Sequence, residues 1–433
     1  MDLDVEAVQL NTAIKHSNPA VVDLLSQRGR AIFFPRLGMM SQTTQALTKK
    51  INATIGTAYE EDGTPMALRE ISKKILAPAK DVFPYAPVNG RERLRQLWLE
   101  EMKKKNPSLS ALTTVPAVTA GITHGLGIAT YLFGEPGDSV ILFDYFWGNY
   151  HLIFEHPYGV QLDQINTFNK NGGLDLAALD QKLNSGKKGK KILLLNFPNN
   201  PLGYTPTNQE AQQILSIIKK SADNGNKLVV ICDDAYFGLV YKKGVYQESL
   251  FSTLAGLHEN VVAVKVDGAT KEEYFWGLRV GFITIAFKGM KKEAADALEF
   301  KIKGVIRGGV SNCCHPTQTI LEMALQSKTH AREKKQKHNL LKKRFDAVEK
   351  VLQTKKYKEY FEPMPHNSGY FMCLRPKGGL DAEAVRQQLL KNYNTGVISM
   401  CGLIRIAYAS VPLKTIPVLF ENIYLACKDL KIT

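Results

Sequence analysis

Short, continuous apolar runs that alternate with helix-like segments constrain the fold of this chain most strongly. Such runs are typical of strands buried on both faces, and helices between them are typical of a parallel sheet covered on both sides. We therefore predict an α/β fold with three layers, αβα, around a mainly parallel central sheet. The predicted strands are Val115–Thr119, Ser139–Phe143, Lys191–Leu195, Lys227–Cys232, Val261–Val266 and Val280–Ala286.

The composition is typical of a soluble protein with room for two domains. Of the 433 residues, 44% are hydrophobic and 22% are charged. The chain has no run of about eighteen apolar residues, so we expect no membrane span. Residues Met1–Glu6 are acidic and lack an apolar core, so we expect no secretory signal. The six cysteines are scattered, which favours reduced thiols in a cytoplasmic protein.

The positive charge of the chain is concentrated in two places. The formal net charge is +15, and the excess lies mainly in Gly186–Lys191 and Lys328–Arg344. We interpret both segments as solvated surfaces, because charge runs usually are. They are accompanied by no nucleic-acid-binding pattern, so we expect no nucleic-acid partner.

The segment Ala269–Gly281 lies between two predicted strands and contains Lys271 and, eight residues later, Arg279. A desolvated lysine has a lowered pKa, and its amine can attack an aldehyde. An arginine can clamp a phosphate through two parallel hydrogen bonds. Pyridoxal 5'-phosphate is a cofactor that carries both an aldehyde and a phosphate. Most lysine and arginine pairs in loops are solvated, so the pair alone does not decide the function.

The ends of the other predicted strands complete a candidate site, because ligands bind at the carboxyl ends of strands in such sheets. The backbone of Gly121, Ile122 and Thr123 opens a helix, where N–H groups favour an anion. Trp147 follows the next strand and could stack on a planar ring, although core filling is the commoner fate of aromatic residues.

Two further strand ends offer polar groups. Asn200 lies in a turn fixed by proline and glycine, and could present an amide. Asp233 ends an apolar strand, where a carboxylate is costly unless it is paired. A pyridinium nitrogen would pair with it and would strengthen the ring as an electron sink; an unrelated salt bridge is the alternative. Tyr236 would face the phenolate oxygen of the ring.

Taken in order, these motifs resemble the fold-type I aminotransferases that use pyridoxal phosphate, in the class that includes aspartate aminotransferase. The resemblance covers about residues 50–410. Its motifs are Ile51–Pro65, Tyr85-x-Pro87-Val88-x-Gly90, Trp147-Gly148-Asn149, Asn200-Pro201-x-Gly203, Asp233-x-Ala235-Tyr236 and Lys271 followed by Arg279-x-Gly281.

The resemblance implies a role for each residue. Lys271 would form the Schiff base with the cofactor and move the substrate proton. The implied catalytic residues are Lys271, Asp233 and Tyr236; the cofactor-binding residues are Gly121, Ile122, Thr123, Trp147, Asn200, Asp233, Tyr236, Thr270, Lys271, Arg279 and, reaching the partner subunit, Tyr85; the substrate-binding residues are Gly56, Trp147, Asn200, Arg405 and Arg307.

Two arginines bear on the substrate. Arg405 matches the family arginine that grips the α-carboxylate. Arg307 precedes Ser311 by four residues, as does the family arginine that a neighbouring subunit donates to the distal carboxylate of aspartate or glutamate. A surface residue in a basic helix is the alternative for Arg307. The Cys313-Cys314-His315 sequence that follows is not interpreted as a metal site, because adjacent cysteines seldom reach one ion.

The sequence departs from the family at two positions. Gly268 stands where the family usually has a serine that binds the phosphate, and Tyr150 stands where a histidine commonly supports the aspartate. We expect the first change to remove one phosphate contact and the second to retune the ring nitrogen.

The resemblance also implies an architecture and an assembly. Residues 1–84 would form an N-terminal arm and part of a small α+β domain, residues 85–315 the large cofactor-binding domain, and residues 316–433 the rest of the small domain. We expect a cytoplasmic homodimer with shared active sites that transfers an amino group from an L-amino acid to a 2-oxo acid, of the aspartate/2-oxoglutarate type.

Several alternatives remain open. An aromatic aminotransferase, or a lyase or decarboxylase on the same scaffold, would share Lys271, Asp233 and Arg405. A non-catalytic homologue is disfavoured by these three residues. A cofactor-binding DNA regulator would need a reader domain, and about fifty residues before the aminotransferase pattern are too few for one.

Overall fold

A computed structural model describes residues 3–17, 25, 27–31, 39–73 and 77–432, and these form thirteen strands in three sheets. In chain order the strands are β1 (Ile51–Asn52), β2 (Ala117–Thr119), β3 (Ser139–Phe143), β4 (Gln161–Ile165), β5 (Lys190–Asn196), β6 (Lys227–Asp233), β7 (Val261–Gly268), β8 (Gly281–Phe287), β9 (Phe361–Pro363), β10 (Met372–Pro376), β11 (Thr395–Gly396), β12 (Ile398–Met400) and β13 (Leu403–Ile406).

Helices separate most of these strands. The α-helices span Val5–Ser17, Gln27–Ala31, Met39–Ala46, Arg69–Lys73, Glu92–Lys105, Ile122–Phe133, His156–Tyr158, Leu176–Asn184, Asn208–Asp223, Phe251–Leu254, Ala269–Glu272, Lys292–Gly309, His315–Leu325, His330–Leu352, Ala382–Asn392 and Ile416–Ile432. A π-helical turn spans His151–Glu155, and 3₁₀ turns span Ala79–Asp81, Lys355–Glu359, Tyr408–Ser410 and Leu413–Thr415.

The central sheet has seven strands in the order β2-β8-β7-β6-β5-β3-β4. Only β8 runs against its neighbours among these strands; the pairs from β7 through β4 are parallel. The predicted three-layer αβα fold with a mainly parallel sheet is confirmed. Strand β4 was not predicted, because Gln161–Ile165 lies at the edge of the sheet and has no continuous apolar run.

Two hydrophobic cores cover the two faces of this sheet. Along β6, Leu228 and Val230 point into one core, whereas Val229 and Ile231 point into the other. Because successive side chains alternate between faces, a strand covered on both sides must be apolar throughout. This burial accounts for the continuous apolar runs in the sequence.

A smaller α+β unit joins distant parts of the chain. Strands β12, β13, β10 and β9 form an antiparallel sheet, and β1 pairs in parallel with β11 through Ile51 and Thr395. The N-terminal and C-terminal segments therefore share this unit, as the predicted fold class requires.

The remaining long helices lie in separate segments. Three helices follow β8, and the second begins at His315 with a proline in its first turn. The sequence predicts a helix over residues 1–30 that breaks at Phe33–Pro35; helices are described over Val5–Ser17 and Gln27–Ala31, and Phe33–Pro35 lies outside the described residues. Among the described helices, none has the length and apolar character that a membrane span requires.

The basic segment Lys328–Arg344 is only partly a solvated surface. Most of it belongs to helix His330–Leu352, in which His330 and Arg344 are buried and Lys334 is half-buried. The prediction was wrong because it rested on the number of charges, which does not show which face of the helix packs inward. Residues 186–190 of the other basic segment are exposed, as expected.

We predict that Gly203→Ala strongly destabilises the fold. Gly203 has φ +71°, and a Cβ there would overlap the carbonyl oxygen of Phe371. The matched control is Gly244→Ala, since Gly244 has φ +77° with no atom within 4 Å of an added Cβ. Both variants share the cost of a left-handed backbone, about 1–2 kcal/mol. In urea unfolding, the free energy of unfolding should fall by at least about 2 kcal/mol more for Gly203→Ala than for Gly244→Ala. Equal decreases in the two variants would contradict the packing argument.

Candidate active site

The carboxyl ends of the parallel strands bring the predicted residues to one edge of the central sheet. Asp233 ends β6, beside Asn196 at the end of β5 and Val266 near the end of β7. Lys271 lies in the short helix Ala269–Glu272 that follows β7 directly. Helix Ile122–Phe133 begins at the same edge, because β2 ends at Thr119.

Asp233 is a buried carboxylate that is held by neutral donors. Its side chain is 2% exposed. The hydroxyl of Tyr150 donates to Oδ2 at 2.6 Å, and the backbone N–H of Ala235 donates to Oδ1 at 3.2 Å. Burial raises the pKa of Asp233 to about 6, while the hydrogen bonds from Tyr150 and Ala235 oppose that rise.

Tyr150 therefore occupies a defined position in the site. Burial and the charge of Asp233 raise the pKa of its phenol, so Tyr150 keeps its proton and acts as the donor. A histidine at this position could carry a positive charge, whereas tyrosine supplies a neutral hydrogen bond. The departure noted in the sequence thus changes the charge around Asp233 and preserves a hydrogen bond to it.

Lys271 has the properties of a nucleophilic amine. Burial lowers its pKa to about 7, and the positive charges of Arg279 and Arg405 act in the same direction. The Nζ atom donates to the carbonyl oxygen of Gly56 at 3.1 Å and lies 5.4 Å from the ring centre of Tyr236. A substantial fraction of the amine is neutral at pH 7, as attack on an aldehyde requires.

Close packing at glycines builds a concave anion site beside Lys271. A Cβ on Gly281 would lie 2.6 Å from the carbonyl carbon of Gly121 and 2.8 Å from the nitrogen of Ile122. A Cβ on Gly121, which has φ +81°, would overlap the guanidinium of Arg279. The start of helix Ile122–Phe133 and the arginine therefore lie together, and this donor set fits a phosphate.

Two threonines border this anion site differently. Thr123 is exposed in the first turn of its helix, and Thr270 is buried one residue before Lys271.

Gly268 cannot be replaced by serine without a shift of the backbone. A Cβ there would lie 2.7 Å from the carbonyl oxygen of Val280 and 2.8 Å from the Cα of Gly281. The glycine therefore belongs to the close pairing of β7 with β8. The family hydroxyl at this position has no room here.

Arg405 is a buried guanidinium with a fixed orientation. It is 5% exposed and extends from β13. Nη2 donates to the carbonyl oxygen of Thr54 at 2.8 Å, and Nη1 donates to Oδ1 of Asn200 at 3.1 Å. The guanidinium carbon lies 4.4 Å from the ring centre of Phe371. Burial lowers the pKa of Arg405 from its usual value, which makes a carboxylate partner favourable.

Asn200 is held by two hydrogen bonds. Its side chain accepts from Arg405, and its backbone N–H donates to Oδ1 of Asn196 at 3.0 Å. Tyr236 is buried, with the rings of Tyr370 and Phe371 packed edge-on at 5.4 and 5.6 Å. Trp147 is half-buried and meets the ring of Tyr150 edge-on at 5.8 Å.

Two predicted residues lie away from this cluster within the chain. Tyr85 is 91% exposed, and Arg307 is exposed with its Nη1 donating to Oγ of Ser311 at 2.6 Å. Among the described residues, no hydrogen bond or ion pair joins either side chain to Lys271.

Three aromatic side chains at the site were not predicted from the sequence. Trp276 donates to the carbonyl oxygen of Gly56 at 3.1 Å, and Tyr370 donates to the carbonyl oxygen of Lys271 at 2.9 Å. Phe371 packs against Arg405. Only Trp276 had a local signal, since it lies five residues after Lys271; the other two come from a remote segment.

Comparison with known proteins decides the family. Residues 48–423 match the family model for aminotransferase class I and II. The chain belongs to this aminotransferase family. Its members use pyridoxal phosphate, so the predicted cofactor and the predicted family are confirmed. The family is consistent with Lys271, with the buried Asp233 and with the anion site formed by Arg279 and the start of helix Ile122–Phe133, which we call the phosphate cradle.

Individual relatives of this chain are distant. It is 27% identical to an aspartate aminotransferase of Sulfurisphaera tokodaii, over 65% of this chain and 64% of the relative. It is 24% identical to a probable N-acetyl-LL-diaminopimelate aminotransferase of Bacillus subtilis, over 60% of this chain and 61% of the relative. These matches span less than two thirds of the relatives' own lengths.

The fold of this chain is shared more widely. The crystal structure of an aminotransferase from Anaerococcus prevotii superposes with a TM-score of 0.80 at 22% identity, covering 93% of this chain and 98% of that one.

We predict that Tyr150→Phe raises the pKa of Asp233 above about 6, by roughly one unit, because the charged carboxylate loses a hydrogen bond. Carbon-13 NMR of aspartate-labelled apoprotein can follow the carboxyl carbon of Asp233, assigned with Asp233→Asn. Tyr131→Phe is the control, since Tyr131 is 62% exposed. An unchanged midpoint in Tyr150→Phe would mean that this bond does not set the pKa.

Proposed function

We propose that this protein is a pyridoxal-phosphate-dependent aminotransferase that transfers the amino group of an L-amino acid to a 2-oxo acid, with aspartate and 2-oxoglutarate as the preferred type of pair. One observation carries the proposal. The amine of Lys271, the carboxylate of Asp233 and the guanidinium of Arg405 converge at the edge of the sheet that also holds the phosphate cradle.

The residues would hold the cofactor at four points. Its phosphate would lie against Arg279, Thr270 and the backbone of residues 121–123, and its aldehyde carbon would meet the amine of Lys271. Asp233 would pair with the ring nitrogen. The phenolate and the ring face would be contacted by Asn200, Tyr236 and Trp147. When bound, the cofactor supplies an electron sink for the bond at the substrate Cα.

The chain's own groups would then orient the substrate and move the proton. Arg405 would bind the α-carboxylate and so fix the direction of the Cα–H bond. With a pKa of about 7, Lys271 can accept that proton and return it near neutral pH. A Cβ on Gly56 would lie 3.6 Å from Nζ of Lys271, so the glycine leaves room for the substrate above the amine. Ping-pong kinetics should follow, since the two acids react in turn.

Arg307 is proposed to bind the distal carboxylate of a dicarboxylic substrate in the partner subunit. It is an exposed cation here, and Tyr85 and Phe83 are 91% and 84% exposed. Large exposed aromatic side chains mark contact surfaces. A homodimer that buries them would bring Tyr85 and Arg307 to the neighbouring site, and we propose that it is cytoplasmic.

An aromatic aminotransferase is the second candidate. The amine of Lys271 faces the ring of Tyr236, and Trp276 and Phe371 lie beside Gly56. These rings could accept an aromatic side chain.

We retain the domain boundaries at 84/85 and 315/316 as part of the proposal.

The first test is a single-turnover absorbance experiment with protein that has been loaded with pyridoxal phosphate. L-Aspartate, L-glutamate and L-phenylalanine are mixed with it separately. We expect aspartate or glutamate to convert the cofactor rapidly to pyridoxamine phosphate, and Lys271→Ala to abolish turnover. Conversion by phenylalanine alone would favour the aromatic candidate. Full turnover by Lys271→Ala would refute the proposed chemistry.

A hybrid dimer tests the assignment of Arg307 to the partner's site. Arg307→Met should raise the KM for aspartate by roughly 10- to 100-fold and leave phenylalanine turnover unchanged, because one charged pair is lost. Lys301→Met, which changes an exposed residue of the same helix, is the control. Mixing Arg307→Met subunits with Lys271→Ala subunits should restore one site with the wild-type KM. If the hybrid keeps the raised KM, Arg307 acts within its own subunit or not at the site.

A further inference from the structure

One face of the basic helix His330–Leu352 points toward the active-site segments. His330, Lys334, Lys337 and Arg344 are spaced by four, three and seven residues, so they share that face. Each of them is bonded to an acidic partner in another part of the chain. This face therefore packs against the rest of the protein, whereas Lys343 on the same helix is exposed.

The first two of these residues hold the segment that carries Lys271. Glu272 and Glu273 follow Lys271 directly and are 5% and 2% exposed. Nζ of Lys334 bonds to both carboxylates, at 2.9 and 2.6 Å, and Nε2 of His330 lies 2.7 Å from Oε2 of Glu273.

A second helix holds the same segment from another side. Lys105, the last residue of helix Glu92–Lys105, bonds to both carboxylate oxygens of Glu272 at 3.0 Å. Burial alone would raise the pKa of Glu273, but the charges of Lys334 and His330 lower it to about 2. The partners of Glu273 therefore favour its charged form at neutral pH.

Lys337 and Arg344, the other two residues of this face, contact the segments that carry Gly56 and Arg405. Lys337 bonds to Glu60, four residues after Gly56. Arg344 bonds to Glu61 at 2.8 Å and to the carbonyl oxygen of Ala409 at 2.5 Å, four residues after Arg405. One helix thus contacts the segments of Lys271, Gly56 and Arg405 together.

We propose that Lys334 and His330 are positioning residues that hold the Lys271 segment, through Glu272 and Glu273, in register with the walls of the active site. The short helix Ala269–Glu272 has four residues and cannot be rigid by itself. Buried ion pairs contribute little net stability, but they fix one arrangement strongly, since breaking them leaves a buried charge. The inference rests on the proposed function of Lys271 and extends it to residues that contact neither cofactor nor substrate.

The test compares Lys334→Met with Lys334→Arg, which keeps the charge, and with Lys342→Met. Lys342 forms an exposed pair with Asp346 on the same helix and is the matched control. We expect Lys334→Met to weaken pyridoxal phosphate binding to the apoprotein by roughly tenfold and to lower kcat by 10- to 100-fold at similar KM, because a small displacement of the amine is costly. Lys334→Arg should recover most of both, and Lys342→Met should change neither.

Hydrogen exchange separates positioning from general stability. In the folded apoprotein, amides of residues 269–275 should exchange at least about tenfold faster in Lys334→Met, while those of β6 remain unchanged. Equal acceleration in β6 would mean a general loss of stability and would overturn the proposal, as would unchanged exchange and affinity. His330→Gln removes one bond of the same cluster and serves if Lys334→Met does not fold.

The two proposals fail in different ways. If wild-type protein binds no pyridoxal phosphate, the proposed function is wrong, whatever the exchange data show. If wild-type protein binds the cofactor and reacts, while Lys334→Met behaves as wild type, only the positioning role is wrong.

Discussion

The burial of charged groups at the carboxyl edge of the central sheet determines what this site can bind. Burial raises the pKa of Asp233 to about 6, lowers that of Lys271 to about 7 and lowers that of Arg405. Each group is therefore moved toward its neutral form. Asp233 and Arg405 gain when a counter-charge arrives, whereas the neutral amine of Lys271 becomes available to attack an aldehyde. A pyridinium nitrogen, an aldehyde and a carboxylate are the groups that these three side chains would favour. Burial destabilises the charged forms of Asp233 and Arg405 in the free protein, and binding of an oppositely charged group offsets this cost.

Asp234, the neighbour of Asp233, is a buried carboxylate whose counter-charge comes from within the chain. Asp234 turns to the opposite face of the sheet, where it pairs with Lys265 and accepts a hydrogen bond from Ser249 at 2.6 Å. Lys265 is fully buried and also pairs with Asp267 at 3.2 Å. This network is internally paired and therefore structural. Asp233, one residue away, has neutral donors. Pairing within the chain, and not burial alone, distinguishes the two aspartates.

Sequence reasoning predicted the strand ends well, because burial on both faces leaves a direct signal in β6 and β7. Lys271, Asp233 and Asn200 follow such strands, so their convergence could be foreseen. Phe371 and Tyr370 could not, because they come from a segment about a hundred residues away and touch the site only through tertiary packing. The inward face of helix His330–Leu352 was not predicted for a related reason. A count of charges does not show which side of a helix faces inward, and the acidic partners that pair with its buried cations lie on other segments.

The phosphate cradle illustrates how one close approach forces another. Gly268 pairs directly with Gly281 across β7 and β8, and Gly281 in turn packs against Gly121 at the start of helix Ile122–Phe133. A Cβ at position 121 would displace Arg279, one at position 281 would displace the start of the helix, and one at position 268 would displace the start of β8. The serine that the family usually has at position 268 is therefore incompatible with this particular packing. Backbone N–H groups and Arg279, which the glycines allow to approach each other, would supply donors in place of a serine hydroxyl.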